Sequence, residues 1–339
     1  MSRHRTFIFG AGASKAENAP LTSELLFEAL RYPGEDRRFV SVVEHFLADF
    51  FGIRNTSTMT SMKELPSFEE LLTLVDMAVL KQEGFSARWN RTRLAALQEA
   101  LIYCMAEILK RKLQLRPQTI PAYHEQFVEN MLSRGNSMLL GSSFISLNYD
   151  ILLDDALLDL YPNFDVDYGA NFTNFRTPRP KRKIKLLKLH GSLNWMFCPV
   201  CRSMKLSLEG KIADNVIAER ISCERDGAAQ RPLIIAPTWL KVYDNPHLTG
   251  IWLEAENTLR NTDEVFLVGY SLPDSDIHVR YLLKKSLYRK KTAPRIVIVT
   301  SEEGGEGSDL HVRYKRFFGE VEYHPIGFEA FSQNVGSYL

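Results

Sequence analysis

The stretch RTFIFGAGAS, Arg5 to Ser14, decides the fold. Arg5 to Phe9 is a short apolar run ending at Gly10, and LTSELLFEALRY after Pro20 has helical spacing, so the chain opens as strand, glycine turn, helix. Two glycines separated by one residue after a strand let the backbone approach phosphate oxygens, and the N–H groups opening the next helix add partial positive charge. The usual dinucleotide pattern has a further glycine three positions after Gly12, but Lys15 stands there, and no second strand with a terminal acid follows about 20 residues on. An ordinary dehydrogenase is therefore disfavoured. By itself the turn fits equally well a tight strand-to-helix connection that holds no ligand.

Outward from this turn, residues from about Asp36 to Arg134 change character. SVVEHFLADFF, SFEELLTLVDMAVL, ARWNRTRLAALQEALIYCMAEILKRKL and AYHEQFVENMLSR all place apolar residues at three- and four-residue intervals, predicting a helical insert. Ser67 followed by Glu70 has capping-box spacing, and Pro121 suits the first turn of the next helix. After Gly141 strands return: FISL, then KIKLLKL, LIIA, EVFLVG and RIVIVT, with helices at ILLDDALLDLY, near Leu248 to Arg260 and near Asp276 to Leu287. Alternating strands and helices predict an α/β fold, a Rossmann-like, mostly parallel sheet with helices on both faces. The alternation in KIKLLKL puts Lys183, Lys185 and Lys188 near solvent. The basic run from Arg176 to Lys188 reads first as a solvated loop and second as a phosphate-binding arm.

Polar residues collect where strands end. Asn148 and Asp150 follow FISL, and His190 with Gly191 follows KIKLLKL; in open α/β sheets the carboxyl ends of strands are where ligands bind. A lone histidine after a strand is more often a loop or interior residue, but the glycine beside it allows a close backbone approach to a ligand. In GYSLPDSD, Asp274, Ser275 and Asp276 can cap the following helix, and Ser271 with the turn's N–H groups can face phosphate.

Taken in order, GAGAS, N-Y-D, L-H-G-S, PLIIAPT and VGYSLPDSD resemble the sirtuin superfamily, and specifically its bacterial defence-associated NAD-hydrolysing branch. The resemblance covers the α/β part and not the helical insert. It implies an NAD-binding α/β domain over 1–35 and 141–339 and a small degenerate zinc-ribbon-like module over 195–231, around the helical insert that the periodicity predicts over 36–140. It also implies that Gly10, Ala11, Gly12 and Ser14 line the pyrophosphate and ribose, and that Gly269 and Ser271 meet the phosphates. The turn from Thr300 and Ser301 to Glu302 would approach the adenosine. Asn148 would position a water or the nicotinamide ribose, Asp150 would hold the nicotinamide carboxamide, and His190 would be the base. Sirtuins usually follow the glycine turn with a proline, aspartate, phenylalanine, arginine loop over nicotinamide; this chain has APLTSELL instead, which counts against lysine deacylation.

Cys198-Pro-Val-Cys201, then 21 residues, then Cys223-Glu-Arg-Asp226 has nearly the spacing of a four-thiolate zinc ribbon, in the place where sirtuins carry theirs. Asp226 stands where the fourth thiol would be. A structural zinc, a relic that folds without metal and unrelated surface cysteines all remain open readings.

The implied reaction is hydrolysis of NAD to nicotinamide and ADP-ribose, as a regulated effector of bacterial antiphage defence by NAD depletion. An NAD-dependent lysine deacylase and a non-catalytic nucleotide-sensing module are the alternatives. Uncontrolled NAD consumption would poison the cell, so a regulatory protein partner or self-assembly is expected, with the insert's helices as one surface for it, although their apolar faces first serve to pack a bundle. The 339 residues with 45% hydrophobic content can bury a sizeable core, and a net charge of +1 gives no global field for nucleic acid, which is expected indirectly if at all. No apolar stretch approaches the roughly 20 residues of a membrane span, and four cysteines in so long a chain do not make a disulfide scaffold, so the expected location is cytoplasmic.

Overall fold

Arg5–Phe9 (β1) is the middle strand of a seven-stranded sheet. Its other members are Ser142–Ser146 (β2), Phe164–Asp167 (β3), Arg182–Lys188 (β4), Glu264–Val268 (β8), Arg295–Val299 (β9) and Glu322–His324 (β10). Gly191–Phe197 (β5), Met204–Leu206 (β6) and Arg231–Ile234 (β7) form a separate antiparallel sheet of three strands. The computed structural model describes residues 3–34, 36–54, 56, 61–160, 163–175, 182–207, 213–235, 245–288, 292–301 and 305–339. Of the sequence features named above, Tyr161 of ILLDDALLDLY, 176–181 of the basic run, 208–212 of the cysteine module, Ala236 to Thr238 of PLIIAPT, and Glu302 lie outside them.

The large sheet runs β10-β9-β8-β1-β2-β4-β3, with every pairing parallel. Helices cover both faces of such a sheet, which is why its central strands are continuous apolar runs rather than alternating ones. Phe7, Ile8 and Phe9 of β1 and all of β8 are buried, and Phe7 stacks on Phe266 with ring centroids 4.7 Å apart. The register aligns the strand ends. Phe9 lies opposite Ser146 and Val268, Ser146 opposite Lys188, Val268 opposite Val299, and Val299 opposite His324. The chain leaves β1 for β2 on one side and later returns to β8 on the other, so the switch point, and the crevice that goes with it, lies at the end of β1.

The helices are α1 (Ala11–Lys15), α2 (Thr22–Arg31), α3 (Arg37–Phe51), α4 (Phe68–Lys81), α5 (Arg91–Gln114), α6 (Tyr123–Ser133), α7 (Asn136–Leu140), α8 (Leu152–Leu158), α9 (Ala213–Glu219), α10 (Pro246–Arg260), α11 (Ile277–Tyr288), α12 (Asp309–Phe318) and α13 (Gly327–Gln333). Ser67 caps α4, its hydroxyl accepting from the Glu70 N–H at 3.0 Å, as the spacing predicts. Pro121 stands two residues before α6 rather than in its first turn. A helical core is built from Leu25, Val43, Leu72 and Leu101 of α2 to α5, while Phe127, Val128 and Met131 of α6 belong to the core of the sheet. By packing, α2 thus goes with the insert and α6 with the sheet.

Glu17, just after α1, ties these parts together. It is 1% exposed and accepts from the His124 N–H at 2.8 Å and from His124 Nδ1 at 2.6 Å, and it also pairs with Arg116. Burial pushes its carboxyl up, but these partners outweigh burial and hold it below its ordinary value of 4.5. A depressed carboxylate stabilises above its unfolded value and loses that contribution as pH falls through the folded one. Glu17→Gln is therefore expected to have a lower urea midpoint than the parent at pH 7, with the gap closing as the solution is acidified below about pH 4.5. A gap that stays constant with pH would assign the effect to lost packing.

Lys188 departs from expectation. Lys183 is exposed and Lys185 half-buried against Glu254, but Lys188 is fully buried. Alternation does not report exposure at the end of a strand that is covered on both faces.

Candidate active site

The aligned strand ends open into one cavity of about 970 Å³. Following the strand order, its wall is made by Ile326 and Gly327 after β10, Thr300 and Ser301 after β9, Gly269 and Ser271 after β8, Gly10, Ala11, Gly12 and Ser14 after β1, Asn148 and Asp150 after β2, and His190 after β4. All three polar residues singled out in the sequence, and all eight residues expected to bind cofactor, therefore line it.

The glycines are held by the backbone opposite as well as facing the cavity. A Cβ on Gly10 would lie 2.6 Å from Tyr270 Cα, and one on Gly12 would lie 2.8 Å from the Gly269 carbonyl oxygen. That oxygen accepts from the Gly12 N–H at 2.7 Å. The two turns thus interlock and form the cavity floor. Gly191, expected to let a ligand approach, instead meets β7. Its φ is +76°, a Cβ there would fall 2.0 Å from the Leu233 oxygen, and the His190 carbonyl accepts from the Ile235 N–H at 2.8 Å.

At the β2 and β4 end the polar side chains form a chain of hydrogen bonds. Asn148 Nδ2 donates to the Gly10 carbonyl at 3.0 Å and to Ser14 Oγ at 2.8 Å. Ser14 Oγ donates in turn to Asp150 Oδ2 at 2.7 Å, and Asp150 Oδ1 accepts from the Leu152 N–H at 3.2 Å, at the start of α8. Because both amide hydrogens of Asn148 are committed, its Oδ1 is the atom left to accept from a hydroxyl or a water. Ser14, expected to line pyrophosphate and ribose, is the bridge between Asn148 and Asp150.

His190 is 3% exposed, and its Nδ1 lies 3.0 Å from the Leu147 carbonyl oxygen. A carbonyl only accepts, so Nδ1 carries the proton; in a neutral ring the lone pair would then stand on Nε2, the form a general base needs. In GYSLPDSD, Asp274 pairs with Arg280 outside the cavity, while Asp276 lines it and accepts from the Tyr270 hydroxyl at 3.3 Å.

Sequence reasoning missed a second wall. Leu25, Glu69 and Leu109 from the helical core, with Ala19, Pro20 and Leu21, line the same cavity. That core also packs on Tyr149 and Leu193, so it lies at the His190 end. Here α2 and its lead-in occupy the stretch that follows the glycine turn. At the other end Phe328, Ala330 and Gln333 of α13 contribute, and no sequence motif announces them.

In the small module the ligand atoms of Cys198, Cys201, Cys223 and Asp226 all lie within 4.8 Å of one another. Cys201 Sγ is 3.7 Å from Cys223 Sγ, and Cys198 Sγ is 3.4 Å from Asp226 Oδ2. Two thiolates each ~2.3 Å from a tetrahedral zinc stand about 3.8 Å apart, so the donor set fits a structural metal ion. Among the described residues no helix is long and apolar enough to cross a membrane.

A SIR2-like domain matches residues 142–317, more than half of the chain. The protein belongs to this SIR2-like family, and NAD as substrate fits the family. No curated protein matches the chain in sequence. Among solved structures it is similar to one described as the structural basis for the mechanism and regulation of Sir2 enzymes, at 13% identity and a TM-score of 0.42 over 98% of this chain and 91% of that one. Another, Sir2 with a p53 peptide and NAD+, is 13% identical with a TM-score of 0.43 over 99% of this chain and 93% of that one.

Proposed function

We propose that the chain binds NAD along this cavity and breaks its nicotinamide–ribose bond. One observation carries the reading: the Asn148, Ser14, Asp150 and His190 cluster stands at one end of a cavity that continues across the β1/β8 switch point to Thr300. Adenosine lies against Thr300 and Ser301, the diphosphate over the interlocked turns of Gly10, Ala11, Gly12, Gly269 and Ser271, and the nicotinamide riboside at the cluster. Scission builds positive charge on the ribose, so the site must hold the leaving group and place electron-rich atoms near the anomeric carbon. Asp150 holds the carboxamide, Asn148 Oδ1 orients a ribose hydroxyl or a water, and His190 Nε2 takes the proton.

Two acceptors complete the reaction. Water gives nicotinamide and ADP-ribose, and the replacement of the usual sirtuin loop by APLTSELL and α2 supports it. An acyl-lysine makes the chain a deacylase; Sir2 structures with a p53 peptide and with a propionylated peptide are the reason to keep this second reading. Purified protein incubated with NAD, alone and with acetylated or propionylated lysine peptide, decides between them. Nicotinamide released at full rate without peptide makes it a hydrolase, and release that needs peptide and yields deacylated product makes it a deacylase. Tight binding with no turnover in either arm, even with partner proteins added, leaves a nucleotide-sensing module, and the absence of both binding and turnover refutes the reading.

A hydrolase of this kind fits an effector of antiphage defence that depletes NAD. Such an enzyme has to be restrained until triggered, by a protein partner or by self-assembly. Full activity of the isolated monomer in the same assay would remove that part of the proposal.

A further inference from the structure

Two residues before His190, Lys188 ends β4 with its side chain 0% exposed. Its ammonium donates to the main-chain oxygen of Asp150 at 2.5 Å and to Asp154 Oδ2 at 2.6 Å. Asp154 sits in the first turn of α8 and is 1% exposed. Burying an ammonium with a carboxylate removes both from water, and apolar residues of similar volume often stabilise a fold as well or better. Stability alone is therefore a weak reason for a fully buried lysine at this place.

The geometry supplies another reason. The turn from Leu147 to Asp150 carries Asn148 and Asp150, and the segment from Lys188 to Leu193 holds three of its carbonyls, the Leu193 N–H donating to the Tyr149 oxygen at 2.9 Å. His190 Nδ1 donates to the Leu147 oxygen, and Lys188 Nζ donates to the Asp150 oxygen. An apolar residue at 188 would fill the space but would leave the Asp150 carbonyl, the one nearest α8, without the ammonium that holds it. Asp154 accepts from the same ammonium and so orients it.

We propose that Lys188, oriented by Asp154, is a positioning residue for the NAD reaction: it fixes the Leu147–Asp150 turn against the strand end that carries His190, and so sets Asn148 and Asp150 relative to the base. This rests on the reading of the cavity as the site of nicotinamide–ribose scission. Lys188 acts through the turn and has no contact with substrate. A displacement of about 1 Å at a reacting centre costs on the order of 100-fold in rate, and that is the scale of effect expected.

The test removes both charges together, as Lys188→Met with Asp154→Leu, so that neither partner is left buried alone. The double variant is expected to melt near the parent temperature and to keep KM for NAD within about threefold, while kcat for nicotinamide release falls by about 100-fold. A residue with a purely structural role would lower activity only in proportion to the folded fraction, leaving kcat per folded molecule unchanged. A folded double variant with kcat within threefold of the parent overturns the proposal. If the double variant does not fold, Asp154→Asn decides. It keeps an acceptor for the ammonium without the charge, and its kcat is expected to fall by about tenfold with KM unchanged, an unaltered kcat again overturning the proposal. The parent protein is assayed alongside with and without acyl-peptide. A parent with no turnover in either arm, even with partner proteins added, defeats the reading of nicotinamide–ribose scission and this inference with it, whereas an active parent with unimpaired variants defeats this inference alone.

Discussion

Alanine at His190 lowers nicotinamide release by roughly 10²- to 10⁴-fold while NAD binding changes little, because a positioned general base contributes about that much to a rate and little to ground-state affinity. The substitution also has a structural cost. His190 Nδ1 holds the Leu147 carbonyl at 3.0 Å, and a buried carbonyl left without its donor costs about 1–3 kcal/mol. A fall in activity with alanine alone would mix the two effects. His190→Asn separates them, since its amide offers a donor to the same carbonyl but has no group that titrates near neutrality. The expected result is a melting temperature closer to the parent for asparagine than for alanine, with both variants equally depleted in nicotinamide release. Asn148→Ala is expected to behave like the histidine variants in rate, because it removes the Oδ1 acceptor and releases Ser14 from one of its two partners. Turnover comparable to the parent in the histidine and asparagine variants would refute the assignment of the cluster.

How much of this was legible in the sequence depends on whether a residue's role is local. Gly10, Asn148, His190, Gly269 and Thr300 all sit immediately after apolar runs, and a parallel sheet with aligned ends brings such positions together whatever the intervening chain does. The turn and the cluster could therefore be found from spacing. Lys188 could not, because its burial depends on α8 and on the covered end of β4, whereas the alternation of KIKLLKL reads as one wet face. Gly191 was legible as a glycine with a special role, but which neighbour it approaches is set by β7, 40 residues away along the chain from Gly191 to Arg231. Leu25 and Leu109 were hidden for the opposite reason. Their helical spacing is fully accounted for by the insert's own core, so nothing marks them as also lining the cavity. The short β10 and α13 near the end of the chain carry no motif, and only the sheet order brings Gly327 to the cavity.

The interlocked turns give the second large effect. Gly269→Ala is expected to destabilise the protein by about 3 kcal/mol or more, from a left-handed backbone that costs an L-residue roughly 1–2 kcal/mol and overpacking that costs about 1–3 kcal/mol. Gly269 has φ +62°, and a Cβ there would fall 2.2 Å from Ala13 N and 2.6 Å from Gly12 C. Neither side can move away without breaking a strand end, because the Gly10 N–H donates to Val268 O at 2.9 Å, the Gly12 N–H to Gly269 O at 2.7 Å, and the Gly269 N–H to Val299 O at 2.9 Å. Gly52→Ala isolates the backbone part of this cost. Its φ is +70° at the end of α3, and nothing lies within 4 Å of the Cβ it would gain, so it should lose only about 1 kcal/mol. The excess in Gly269→Ala measures the contact between the turns, and urea unfolding of both variants gives it directly. Because the same contact is the floor of the cavity, prising it open should also weaken NAD binding more than tenfold, a change of about 1.4 kcal/mol, while Gly52→Ala binds as the parent does. Equal stability of the two variants, with parent-like NAD affinity in both, would mean that the glycine turns do not meet as described and that the diphosphate is held elsewhere.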